Sequence, residues 1–203
     1  MILASAEAVI RFLGMPVEAA NQILDAARAT VLDFGVSRTT VSEVARRAGL
    51  SRMTVYRRYP DGAALMRALM TREFGALLAD AQAEAAGAPT ARERLVQAAI
   101  TTIDGLMTAP LMLRLLELEP ELLLPYLTER VGRFQQLARA AVRATIVEGQ
   151  EDGSIRAGDP GVLAATCEYA TRGTVLAARS MSMRQRAAAL AELGALLDAY
   201  LRP

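Results

Sequence analysis

The side chains best equipped for chemistry stand together in Arg52-Met-Thr-Val-Tyr-Arg-Arg58, with Ser51 just before them and Thr39-Thr40 upstream. The chemistry they suit is recognition of a polyanion, not bond-making. Arg52 carries a planar fork of donors that can pair bidentately with guanine. Met53 and Thr54 offer a flexible apolar contact and a hydroxyl. Tyr56, Arg57 and Arg58 lie a turn further on, where phosphate contacts are expected. Ser51 can cap the segment and also donate to a phosphate. Thr39 and Thr40 place hydroxyls and free amides at a helix N-terminus, a ready phosphate site.

Composition supports this by exclusion. The 203 residues include no histidine and one cysteine, Cys167. Without imidazole there is no histidine base, no Ser-His-Asp or Cys-His dyad and no histidine metal ligand. A lone cysteine forbids an intrachain disulfide and any multi-cysteine zinc or iron–sulfur site. No metal and no cofactor is expected. Glu117 and Glu119, beside Arg114, are the remaining catalytic candidates, and they read more simply as a solvated helix face. The chain is therefore not expected to be an enzyme. No apolar run is long enough for a membrane span, and the start carries Glu7 with no basic region, so no signal peptide is expected. The simplest location is the cytoplasm.

The formal net charge of +1 argues against a nucleic-acid partner only until it is resolved along the chain. From Arg38 to Arg58 there are six arginines and one acid, Glu43, a net +5. The remainder holds 17 arginines and 21 acids, a net −4. Charge alone fits a solvated helix face equally well; a nucleic-acid reading needs a motif too.

Helices must position these groups. The chain is 53% hydrophobic, with 40 alanines, 28 leucines, 23 arginines and no lysine. These are strong helix formers, and β-branched and aromatic residues are sparse, so the class is all-α. Punctuation divides it into about nine helices, or ten if residues 4–13 form their own. Pro16 opens a helix to about Phe34 whose Ala19, Ala20, Ile23, Ala27, Val31 and Phe34 recur at helical spacing, and Gly35 ends it. Thr40-Val-Ser-Glu43 is a capping box opening a helix to Ala48. Gly49 stops that helix through a positive φ, and Ser51 caps the next, to about Tyr59. Val44, Ala48, Leu50 and Val55 supply the apolar contact between the two, and small Ala45 lets them approach. That is the pattern of a helix-turn-helix, whose second helix enters the major groove. Asp61 caps a helix to about Ala86. Thr90 opens one to about Met107, Pro110 one to near Pro120, and Pro125 a long one to Glu151. Asp159-Pro160 opens a helix to about Arg179, and Ser182-Met-Arg-Gln185 caps the last, to about Tyr200.

Residues 20–69 resemble the N-terminal DNA-binding domain of the TetR family of transcriptional regulators. The resemblance is carried by Ile23-Leu24, Ala26-Ala27, Phe34-Gly35, Thr39-Thr40, Val44-Ala45, Ala48-Gly49-Leu50-Ser51 and Thr54-Val55-Tyr56, then an aromatic, a turn and Leu65. The rest matches only the family's general plan. The chain departs from common family choices at Met53 (often Gly or Ala), Arg58 (often His), Tyr59 (often Phe) and Gly62 (often Lys). Arginine for histidine preserves a phosphate donor; glycine for lysine removes a contact.

The resemblance implies a DNA-binding domain over 1–62 and an effector-binding and dimerisation domain over 63–203. It implies a homodimeric repressor of a double-stranded DNA operator, released by a small, largely apolar effector. Met107, Leu111, Met112, Leu115, Leu116 and Leu118 surround a short proline-flanked helix. In the family plan Phe134 and Gln135 face them, and Cys167, Tyr169 and Arg172 add polar handles; ordinary core packing explains each of these residues equally well. Thr166, Ala170, Gly173 and Ala177 form a small-residue stripe, and Leu190, Leu193, Leu196, Leu197 and Leu201 an apolar one. Paired across two subunits they would build a four-helix interface, as the resemblance favours; the other reading is packing within one chain. The alternative is a helical small-molecule binding module with lost or weak DNA binding, which Met53 and Gly62 favour.

Overall fold

The computed structural model describes residues 17–118 and 132–203, and the regular elements among them are all helical. They are α1 (Val17–Phe34), α2 (Val41–Arg47), α3 (Arg52–Arg58), α4 (Gly62–Ala85), α5 (Ala91–Thr108), α6 (Pro110–Leu118), α7 (Arg133–Glu151), α8 (Pro160–Leu176), a 3-10 turn (Ala177–Ser180) and α9 (Met183–Leu201). The all-α class and the expected succession of helices are thus present. The helix expected at residues 4–13, Glu7, Pro16, Glu119, Pro120 and the start of the long helix at Pro125 lie outside the described residues. The helix expected to reach Arg179 ends at Leu176, where the chain tightens into the 3-10 turn.

Packing gathers the chain into two units. One holds α1, α2, α3, α4 through Ala76, and α6 with the described residues up to Phe134. The other holds α4 from Leu77, α5, and the chain from Gln135 onward. This division differs from the functional boundary expected at Gly62. The reason is that α6 packs on α1, and that Leu65, Met66, Leu69 and Phe74 of α4 are buried within the first unit.

In the first unit, α1 buries Ala20, Ile23, Leu24, Ala27 and Val31. Phe34, expected on that stripe, is instead exposed beneath the Arg47 guanidinium, 5.1 Å from its ring centroid. It is the last residue of α1, and Gly35 turns the chain there at φ 83°. Gln22 on α1 donates to the Ala48 carbonyl at 2.8 Å, which satisfies an orphan acceptor at the end of α2. Buried Arg72 on α4 ties back to α1, pairing with Asp25 at 2.9 Å and donating to the Asn21 carbonyl at 3.3 Å. Glu73 takes Arg72 at 2.7 Å and Arg28 at 2.9 Å, so the buried guanidinium is neutralised.

In the second unit, α5, α8 and α9 pack on one another. The loop after α7 fixes two helix ends. Asp152 accepts from the Ala91 amide at 3.0 Å and Ser154 from the Arg92 amide at 3.2 Å, capping α5. The Ser154 hydroxyl, then the Ala91 and Ser154 amides, hold the Asp152 carboxyl below the usual carboxylate range. Arg156 closes the C-terminus of α9: its amide donates to the Leu201 carbonyl at 2.9 Å and its Nε to the Tyr200 carbonyl at 2.8 Å. A cation at a helix C-terminus also complements the helix dipole. The Ser182–Gln185 capping box forms in full at the start of α9.

Candidate nucleic-acid interface

The turn between α2 and α3 is set by Gly49, at φ 64°. Its amide bonds to the Arg46 carbonyl at 3.2 Å and the Leu50 amide to the Ala45 carbonyl at 3.0 Å. This is the glycine-terminated helix end in which a left-handed residue reverses the chain. Val44, Ala45, Ala48 and Val55 are buried behind it. Ser51 then caps α3, its Oγ accepting from the Thr54 amide at 3.1 Å and sharing a 2.8 Å bond with the Thr54 hydroxyl. Tyr59 anchors the far end in the core, and burial pushes its phenol up to about 12.

With Val55 and Tyr59 turned inward, the opposite face of α3 is presented to solvent. Arg52, Met53, Tyr56 and Arg57 are all exposed, Met53 at 76% and Tyr56 at 44%. Their spacing puts them on one helix face. Thr54 and Arg58 are half-buried, and Arg58 Nη1 has no hydrogen-bond partner among the described residues.

The two threonines before α2 separate. Thr40 is exposed and is the N-cap, accepting from the Glu43 amide at 3.1 Å. Thr39, expected to face a phosphate, is buried and its hydroxyl donates to the Gly35 carbonyl at 2.7 Å. It holds the α1–α2 turn, because an unpaired hydroxyl in that position would be costly. The capping box at Thr40 forms only from the threonine side. Glu43 turns its carboxylate to Arg46, at 2.6 and 2.9 Å, and to Arg47, at 3.4 Å. The Arg46 bonds hold the Glu43 carboxyl below its usual range and raise the Arg46 guanidinium. A surface recess of about 340 Å³ is lined by Thr40, Ser42, Glu43, Arg46, Leu50 and Arg52, joining the starts of α2 and α3. Arg46 was visible in the sequence only as part of the charge; its place in this recess is a product of the turn.

Residues 23–69 match the family model described as bacterial regulatory proteins of the tetR family. An HTH-type transcriptional regulator of Mycobacterium bovis is 36% identical over 182 residues, covering 89% of this chain and 93% of its own length. The chain belongs to the TetR family of transcriptional regulators. Solved structures share the fold: a TetR-family regulator from Rhodococcus sp. (TM-score 0.69, 21% identity, 91% of this chain and 98% of that one) is one. The regulator FadR from Bacillus subtilis, in complex with stearoyl-CoA, is another (TM-score 0.67, 18% identity, 89% and 98%).

As a TetR-family regulator the chain is a DNA-binding helix-turn-helix protein, and its departures can be examined on the α3 face. Gly62 begins α4, and a Cβ added there would stand 3.8 Å from the Thr39 carbonyl oxygen, an ordinary contact. Gly62→Lys is therefore expected to fold normally and to tighten binding to any duplex. The log–log salt slope should steepen by about 0.9 per protomer. Fluorescence anisotropy across a KCl series measures it, and an unchanged slope would show that no phosphate lies within reach of residue 62.

The residues assigned to an effector fall in both units. Met112, Leu116 and Phe134 belong to the first; the two aliphatic side chains are buried, and Phe134 packs edge-to-face on Phe74 at 5.8 Å. Met107, Gln135, Cys167, Tyr169 and Arg172 belong to the second. Met107 and Cys167 are buried, and burial pushes the Cys167 thiol up to about 11, so it is neutral at pH 7. Gln135 is half-buried. Tyr169 and Arg172, expected as polar handles, are engaged with charged neighbours. Tyr169 is 60% exposed between the guanidiniums of Arg139 and Arg172, 5.7 and 5.4 Å from its ring centroid. Arg172 pairs with Glu168, which Arg139 also engages at 2.7 Å.

The interface stripes also separate. Ala170 and Gly173 are exposed, and Thr166 and Ala177 half-buried. Leu193 and Leu197 are buried within the single chain, together with Leu190 and Leu201. The exposed leucine of α9 is Leu196, one residue away and on another helix face. Val162 and Tyr169 of α8 are exposed as well.

Proposed function

We propose that the chain is a ligand-responsive repressor that binds a palindromic operator as a homodimer. The observation that carries this is the α3 face. Arg52, Met53, Tyr56 and Arg57 project together from a helix whose opposite side is locked into the core by Val55 and followed by buried Tyr59. Arg52, at the start of α3, reads base edges. Thr40, Ser51, Thr54, Tyr56, Arg57 and Arg58 hold phosphates and so set the register. Two such helices, roughly 34–36 Å apart in the dimer, occupy successive major grooves. The dimer forms through the outward surface of α8 and α9, where Ala170 and Gly173 let a second helix approach. Release is by a small, largely apolar molecule. Met107, Met112, Leu116, Phe134 and Cys167 supply apolar surface in their respective units, and methionine adapts to varied shapes. FadR, a protein of the same fold, is solved in complex with stearoyl-CoA, whose acyl chain is apolar, and this supports an effector with an apolar part.

The test uses a duplex selected from random sequence by the protein itself and a scrambled duplex of the same composition. Arg52→Ala is expected to cost about 1–3 kcal/mol on the selected duplex and much less on the scrambled one. Tyr56→Phe is expected to cost about 0.5–1.5 kcal/mol on both, since it removes one phosphate hydrogen bond. Equal effects of Arg52→Ala on the two duplexes would remove α3 from base reading.

A further inference from the structure

We propose that Arg46 is a further phosphate ligand of this interface, held in reserve by Glu43 and exchanged from carboxylate to phosphate when DNA arrives. The inference rests on the DNA-binding reading of α2 and α3.

Three observations lead to it. The first is that one carboxylate serves two arginines that are held unequally. Arg47 is fixed on several sides: it pairs with Asp33 at 2.7 Å, reaches Glu43 at 3.4 Å and lies over the Phe34 ring. Its side chain is 23% exposed, whereas that of Arg46 is 71% exposed and is paired with Glu43 alone in the described contacts. The second is position. Glu43 and Arg46 line the recess that also holds Thr40, at the start of α2, and Arg52, the first residue of α3. A phosphate held by the Thr40 hydroxyl or by Arg52 at this recess therefore meets Arg46 at its wall. The third is chemical balance. A carboxylate alone there would repel phosphate, and the bidentate pair neutralises it while DNA is absent. Once Arg46 moves to phosphate, Glu43 still has Arg47.

The exchange is easy in the forward direction. Exposed ion pairs are weak in water, whereas a cation placed on duplex phosphate releases a condensed counterion. Glu43 thus lowers affinity for every duplex by competing for Arg46, and it does so without touching a base.

The experiment uses the full chain and the selected and scrambled duplexes, labelled and about 30 bp long, enough for the two half-sites a dimer would span. Affinities are read over a KCl series. Arg46→Ala is expected to make the salt slope shallower by about 0.9 per protomer on both duplexes. Its circular dichroism should be unchanged, as the side chain is exposed. Glu43→Gln is expected to tighten binding about two- to fivefold when Arg46 is present. In an Arg46→Ala chain the gain should be smaller, because only relief of repulsion remains. An Arg46→Ala slope equal to wild type would overturn the proposal. So would a Glu43→Gln gain as large or larger without Arg46, since the pair would then persist in the complex. A wild-type chain that binds neither duplex at the lowest salt would overturn the DNA reading and this inference with it.

Discussion

Gly173→Arg is expected to yield a folded chain that no longer dimerises and binds its operator about a hundredfold more weakly or worse. The single chain has room for the change. Gly173 is exposed in the interior of α8, and nothing lies within 4 Å of a Cβ built there. Arginine is also the better helix former, by up to about 1 kcal/mol. The proposed dimer has no such room. A two-fold interface uses the same stripe of both subunits, so the substitution sets two guanidiniums into a close helix contact that small side chains would allow. Losing the dimer separates two half-site readers that otherwise act at high effective concentration. Sedimentation velocity and anisotropy on the selected duplex measure both effects, with circular dichroism as the folding control. A variant that stays dimeric would remove the α8 stripe from the interface.

Leu197→Ala should act in the complementary way. Leu197 has 0% relative exposure within one chain, on the stripe it shares with Leu190, Leu193 and Leu201. Truncating a buried leucine costs about 2–5 kcal/mol, from lost transfer energy and the cavity left behind. Urea unfolding should show an unfolding free energy lowered by that amount, the midpoint falling by that loss divided by the m-value. The same loss is expected in the Gly173→Arg chain, because the contacts removed are intrachain. A loss seen only in the dimer would return Leu197 to the interface. The contrast with Leu196 is sharp, since that neighbouring side chain is mostly exposed and its truncation within one chain removes little buried area.

The features that could be read before the structure are those carried by short spacings. Ser51, Thr90, Asp159 and Ser182 cap the helices they were expected to open, and Gly49 takes the positive φ expected of it. Each depends on groups within about four residues, where chain geometry leaves little choice. Thr39 and Thr40 show where that reasoning stops. They are adjacent and chemically identical, yet one is buried beneath the turn and the other caps α2. Glu43 is similar: its spacing from Thr40 fits a capping box, but Arg46 and Arg47 compete for the same carboxylate.

The sequence by itself determined the described helices and the helix-turn-helix, because these follow from propensity, caps and turn residues. Only the tertiary structure decided which of two neighbouring leucines faces outward, that Tyr169 lies at the surface between two arginines, and that Arg46 shares a recess with Arg52. Those outcomes depend on what packs against each helix from far along the chain, as where Arg92 of α5 pairs with Asp198 of α9. Periodicity marks an apolar stripe, but burial is assigned by the partner that covers it.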